Sequence, residues 1–93
     1  MYLGNLLKSV SSDCRKISVR GICFDSRKAK KGDVFFAIKG GQTSGIKFIK
    51  HALSRKVSAI VSEKKVEFYN SKIPLLIVND VRKSLSEACS NFF

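Results

Sequence analysis

The chain has 93 residues, of which 44% are hydrophobic, so it is long enough for one small domain with a single modest core. Its 18 Lys and Arg residues against 7 Asp and Glu give a net charge of +11, which is compatible with anionic partners such as nucleic acid, a membrane surface or a phosphorylated small molecule. Because these charges are spread along the chain and no nucleic-acid-binding motif occurs, a solvated lysine-rich surface is the favoured interpretation, and we expect neither a membrane nor a nucleic acid as partner. No apolar run reaches the roughly 18 residues that cross a bilayer, and the N-terminus is too polar for a secretory signal, so we expect a soluble, cytoplasmic domain.

The first half of the chain predicts one helix and two strands. Apolar residues recur at helical spacing over residues 2–10, although Gly4 weakens that helix. A strand is predicted over residues 17–23, and the apolar run from Asp33 to Ile38 predicts a second, buried strand. The polar segment between the strands ends at Gly32 and predicts a turn.

The second half predicts two further strands, each followed by polar residues, and two helices. A central helix begins at Gly45 with Ser44 as its N-cap, and strands are predicted over residues 57–61 and 75–78. Asp80 can cap a last helix. This order predicts an α/β fold, with a small mixed or mostly parallel sheet flanked by helices. Because the last helix has no C-terminal capping signal, we expect residues 1–93 to be a domain excised from a longer protein.

Cysteine, histidine and aromatic residues offer little catalytic chemistry. Three cysteines without a CxxC pair, beside one histidine, argue against a disulfide framework and against a zinc site. We expect His51 on the solvent side of the central helix, where it is a poor base for a cysteine nucleophile. The positions of most aromatic residues predict core packing rather than base stacking, namely for Tyr2, Phe35, Phe36, Phe48 and Phe92.

The stretch FDSRKAKKGDVFFAIKGGQTSG, residues 24–45, places polar groups and glycines around one strand. Asp25 and Ser26 can bond to backbone N–H groups or to a ligand, and Gly40-Gly41 permits close approach to the backbone. The helix that follows presents free N–H groups at its start. This pattern predicts either a cradle for a nucleotide diphosphate or ordinary turns that use Gly, Ser and Asp for backbone reasons.

Three segments, GICFDSRKAKKGDVFFAIKG, SGIKFIKHAL and VSAIV, resemble the N-terminal domain of Mur ligases, which build the peptide stem of bacterial peptidoglycan. The segment IVNDVRKSLSEACSNFF is similar to the last part of that domain. The opening LGNLL and the aromatic ending look more like the ligases that add the third amino acid, the MurE type, than like the dipeptide-adding MurF type.

The resemblance implies that this domain binds the uridine diphosphate (UDP) end of the substrate, UDP-N-acetylmuramoyl-L-alanyl-D-glutamate. The family's contact positions fall on Phe24, Ser26, Gly41, Gln42 and Thr43, whereas Asp25 and Arg27 are predicted to brace the turn. Gly41 stands where the family often has histidine, so we expect backbone groups to make the contact there.

In the family, ATP and Mg²⁺ drive amide formation through an acyl phosphate, in central and C-terminal domains that residues 1–93 do not include. No GxxGK loop occurs in this sequence, so the domain alone is predicted to be non-catalytic, with no cofactor or metal of its own. Two alternatives remain: a MurF-type ligase, and a non-catalytic basic α/β module that binds nucleic acid.

Overall fold

The computed structural model describes residues 1–38, 45–63 and 72–93. Four strands in this part of the chain form one sheet in the order β1-β2-β3-β4, and every neighbouring pair is parallel. The predicted α/β class and element order are therefore confirmed. The elements are α1 (Leu3–Leu6), β1 (Gly21–Cys23), β2 (Asp33–Phe36), α2 (Gly45–Ser54), β3 (Ala59–Ser62), β4 (Leu75–Ile77) and α3 (Val81–Phe92), with 3₁₀ turns at Ser12–Cys14 and Ser26–Lys28.

The central strands are buried on both faces because successive side chains point to opposite sides of a sheet. On one side, Val34 and Phe36 of β2 pack with residues of α1 and α3. On the other side, Phe35 packs against Ile49 and Ala52 of α2. The fold therefore has three layers, and the continuous apolar run in the sequence reflects this double burial.

The N-terminal helix is shorter than residues 2–10, because α1 ends at Leu6 and Leu7 has extended backbone angles (φ −128°, ψ 112°). The guanidinium of Arg15 donates to the carbonyl oxygens of Gly4 and Lys8 and so replaces the bonds of a further turn. The chain before β1 also differs from the prediction. Tyr2 forms an antiparallel bridge with Ser18, and only Gly21–Cys23 joins the parallel sheet.

The C-terminal elements agree with their predicted positions to within two residues. The Asp80 side chain accepts from the Lys83 backbone N–H at 3.0 Å, which confirms the predicted cap of α3. Glu63, directly after β3, accepts from the Val81 N–H at 3.1 Å and satisfies a second free donor at that terminus. The predicted cap of α2, Ser44, lies outside the described residues. Among the helices described, none has the length and apolar content needed to cross a membrane.

Candidate functional site

A cleft opens at the carboxyl edge of the sheet, where β1 and β2 end beside α2. In parallel sheets the segments that follow the strands meet at this edge, which is the usual place for ligands. The cleft has a volume of about 490 Å³. Its lining comes from the segment after β1, from β2 and the residues after it, and from the first half of α2: Phe24, Asp25, Ser26, Arg27, Phe35, Ala37, Ile38 and Phe48.

Two aromatic side chains border this cleft from opposite elements. Phe24 follows β1 and is 63% exposed, so its ring is available to a ligand. Phe48, on α2, is 36% exposed, and the prediction that it belongs to the core was wrong. Consecutive helical residues differ by about 100° around the axis. Because the neighbouring Ile49 faces the core, Phe48 turns towards the cleft, and this adjacency was the signal in the sequence.

Tyr2 is the other aromatic residue for which the core prediction was wrong. Its side chain is 55% exposed, while Leu3 beside it is fully buried. The predictions for Phe35 and Phe36 are confirmed, since both are buried in the sheet.

Ser26 lines the cleft from the 3₁₀ turn that follows β1, but it is only 2% exposed. Its Oγ lies 3.2 Å from Nδ1 of His51 on α2. His51 is half-buried, and this contact gives it a hydrogen-bond partner, so the expectation of a solvent-facing histidine was wrong. The reason is that α2 packs against the Ser26–Lys28 turn and brings together two residues 25 positions apart.

Asp25 and Arg27 brace the turn, as predicted. Oδ1 of Asp25 accepts from the Arg27 backbone N–H at 3.0 Å and from Nε at 3.2 Å, and Oδ2 accepts from Nη2 at 3.2 Å. The Arg27 side chain, and then its backbone N–H, hold the pKa of Asp25 below its ordinary value. The same pair raises the pKa of Arg27. These contacts stabilise the conformation that places Phe24 and Ser26 at the cleft.

Gly41, Gln42 and Thr43, the other three predicted contact residues, lie outside the described residues. In sequence they connect Ile38, which lines the cleft, to α2, which carries Phe48.

The cysteine thiols are free, and one of them lies beside the cleft without chemistry of its own. Sγ of Cys23 donates to the Asp25 carbonyl oxygen at 2.9 Å. Burial raises the pKa of the Cys23 thiol, which opposes formation of the nucleophilic thiolate. In the described ranges, no group of three or more His, Cys, Asp or Glu side chains is placed to hold a metal ion.

A second groove, of about 470 Å³, runs along β1 at the edge of the sheet and shares Phe24 and Asp25 with the cleft. Three cationic side chains line it, those of Arg20, Lys28 and Lys30. The carboxylate of Asp33, which also lines the groove, accepts from the Lys30 backbone N–H at 3.0 Å. The surface beside the cleft thus carries three cations against two carboxylates, those of Asp25 and Asp33.

Comparison with known families assigns the chain. The family model described as "Mur ligase family, catalytic domain" matches residues 18–93. The chain belongs to the Mur ligase family. This match includes β1, the cleft residues and all elements that follow.

Two relatives of this Mur ligase chain show how much of a full-length member it represents. It is 32% identical, over 100% of its length, to the UDP-N-acetylmuramoyl-L-alanyl-D-glutamate--2,6-diaminopimelate ligase of Caldanaerobacter subterraneus subsp. tengcongensis, and it covers 20% of that protein. The enzyme of the same name from Aquifex aeolicus is 44% identical over 81% of this chain, which covers 15% of it. The chain thus spans a fifth or less of the length of these relatives.

Solved structures of Mur ligases share the fold. MurF from Acinetobacter baumannii matches 78% of this chain with a TM-score of 0.64 and 26% identity, and 16% of that protein is covered. MurF ligase from Thermotoga maritima, solved in complex with ADP, matches 77% of this chain with a TM-score of 0.61 and 30% identity, again over 16% of its length.

Proposed function

We propose that this chain is the UDP-binding domain of a ligase that adds the third amino acid to UDP-N-acetylmuramoyl-L-alanyl-D-glutamate. The names of the similar sequences support this assignment, because the relatives at 32% and 44% identity both carry that activity in their names. The structural neighbours are MurF ligases, but their similarity of 26% and 30% identity is lower and rests on a shared fold. Sequence similarity therefore favours the third-residue ligase over the dipeptide-adding one.

The observation that carries the proposal is the cleft at the carboxyl edge of β1 and β2. An exposed aromatic ring, Phe24, lies beside a buried hydroxyl, Ser26, and Phe48 adds a second ring. Uracil would pack on Phe24, because aromatic rings bind the faces of all bases. The diphosphate would take a hydrogen bond from Ser26 and further bonds from Gly41, Gln42 and Thr43.

ATP and Mg²⁺ belong, in this proposal, to parts of the full-length protein beyond these residues. The chain has no GxxGK[ST] segment, and Lys39-Gly40-Gly41 lacks the Lys-Ser or Lys-Thr ending that contacts phosphate and metal. The residues present therefore do not fit the triphosphate. This domain binds and orients the nucleotide end of the substrate, and the acyl-transfer chemistry takes place elsewhere in the longer protein.

The test is an NMR titration of the 93-residue chain with UDP, with UMP and a short oligonucleotide as controls, at two salt concentrations. We expect UDP to shift the resonances of Phe24, Ser26 and Gly41 to Thr43, and UMP to shift them less because it lacks the second phosphate. No response to UDP would refute the proposal. Oligonucleotide shifts spread over Arg20, Lys28 and Lys30, with a steep salt dependence, would instead support the basic nucleic-acid module.

A pair of exposed phenylalanines provides a matched control for the uracil contact. Phe24→Ala should weaken UDP binding roughly fivefold to a hundredfold, the effect of losing one base–aromatic contact. Phe93 is 92% exposed and does not line the cleft, so Phe93→Ala should leave binding unchanged. Calorimetry would measure the UDP affinity of both variants, and equal affinities would exclude Phe24 as the contact for uracil.

An activity assay that distinguishes the MurE type from the MurF type requires the full-length protein. Its purified form should couple ATP cleavage to attachment of a single amino acid to UDP-N-acetylmuramoyl-L-alanyl-D-glutamate. Activity only on the tripeptide substrate with D-alanyl-D-alanine would assign it to the MurF type instead.

A further inference from the structure

We propose that His51 is a positioning residue that sets the direction of the Ser26 hydroxyl proton and so controls how well the cleft accepts a diphosphate. This inference rests on the proposed function, because it assigns a regulator to the same site. The sequence patterns do not point to His51. The contact of 3.2 Å between its Nδ1 and Ser26 Oγ is what places it there.

Among the residues that the structure describes, the partner of the Ser26 hydroxyl is His51. Ser26 is 2% exposed, and its side chain lies between the turn that follows β1 and helix α2. A buried hydroxyl needs a hydrogen-bond partner, and on this side His51 supplies it. The state of one imidazole nitrogen therefore determines which group Ser26 can present to the cleft.

The two tautomers of neutral His51 have opposite consequences. When Nδ1 carries no proton, it accepts the Ser26 O–H, and only oxygen lone pairs face the ligand. When Nδ1 carries the proton, it donates to Oγ, and the Ser26 proton becomes free to point into the cleft. Diphosphate oxygens only accept hydrogen bonds, so UDP should favour the second tautomer.

The tautomer can be observed directly in the wild-type chain. Imidazole ¹⁵N shifts of the chain would be recorded at about pH 8, above the range in which histidine usually takes up a proton. We expect saturating UDP to move His51 towards the form protonated on Nδ1, and uridine, which has no phosphate, to leave it unchanged. If UDP binds without changing the His51 tautomer, the inference is overturned.

Variants test the same link through affinity. His51→Leu leaves no N–H to hold Oγ, so the Ser26 hydroxyl is no longer oriented towards the cleft, and UDP binding should weaken roughly threefold to tenfold, the effect of one hydrogen bond, without changing uridine binding. His51→Asn can still donate an N–H to Ser26 and should restore most of the affinity. In a Ser26→Ala background, His51→Leu should have no further effect on UDP binding, because His51 acts through Ser26.

Thermal unfolding of each variant would show whether it is folded at the temperature of the titration. Failure of the wild-type chain to bind UDP would refute the proposed function, and this inference with it. If the wild type binds but His51→Leu binds equally well, the proposed function stands and the role of His51 is refuted.

Discussion

The turn after β1 depends on side chains that bond to their own neighbours. Asp25 accepts from Arg27, and the Cys23 thiol donates to the Asp25 carbonyl oxygen. The contacts between Asp25 and Arg27 span two residues, so the sequence DSR was enough to predict them, whereas the bond from the Cys23 thiol was not predicted. The contact between Ser26 and His51 spans 25 residues and depends on how α2 packs, so no local pattern could have revealed it.

Asp25→Asn should remove a small pH-dependent contribution to the free energy of unfolding. The pKa of Asp25 is lower in the folded protein, so its charge stabilises the fold above the pKa of the unfolded chain, and this contribution is lost as the pH falls through the folded pKa. Wild type should therefore have the higher Tm at neutral pH, with a difference that fades in acid. In an Arg27→Gln background, Asp25→Asn should produce a smaller pH-dependent difference, and an unchanged one would contradict the assigned cause.

The short helix α1 shows how tertiary contacts override local periodicity. Apolar spacing predicted helix over residues 2–10, but the backbone N–H of Gly4 donates to the Arg15 carbonyl oxygen at 3.0 Å, so the two segments lie in close contact. A Cβ at position 4 would lie 2.8 Å from Cβ of Arg15 and 3.1 Å from its Cα. Gly4 is thus required by the approach of a neighbouring chain segment, which helix propensity alone does not reveal.

Gly4→Ala should destabilise the domain by about 1–3 kcal/mol, the usual range for overpacking. Helix propensity alone would predict stabilisation of about 1 kcal/mol, so the two explanations differ in sign. Asn5→Ala, at an exposed position of the same helix, is the matched control and should stay within about 0.5 kcal/mol. Urea denaturation would measure the unfolding free energy of both variants. A more stable Gly4→Ala protein would show that Arg15 can move away from the added methyl group at little cost.

Helix α3 was predicted with its cap because that cap is local, from Asp80 to Lys83. Asp80→Ala should cost about 0.5–2 kcal/mol in unfolding free energy. Ser86→Ala, at an exposed site within the same helix, should have little effect or stabilise slightly, since alanine is the better helix former. If Asp80→Ala leaves the free energy of unfolding unchanged, then Glu63, which accepts from the Val81 N–H, is sufficient to cap the helix.

At the scale of the whole molecule, the parallel order of the strands creates the site. Each strand in the described part of the sheet is parallel to its neighbours, so the segments after β1 and β2 emerge at one edge, and α2 connects back across one face. The order of the predicted strands and helices was enough to predict this class of fold. That order could not predict that α2 places His51 against the turn that follows β1, because the rotation of a helix on a sheet depends on the packing of both faces.

Binding of UDP in the cleft should also raise the Tm of the chain. A ligand that binds only the folded state stabilises it, by about 2.7 kcal/mol at a hundredfold excess over its Kd. We expect the Tm to rise with UDP concentration. ATP with Mg²⁺ at equal concentrations should raise the Tm much less, and the chain should release no phosphate from ATP, because it lacks a GxxGK[ST] loop. Stabilisation by ATP equal to that by UDP would indicate a general attraction between phosphates and a chain of charge +11, rather than recognition in the cleft.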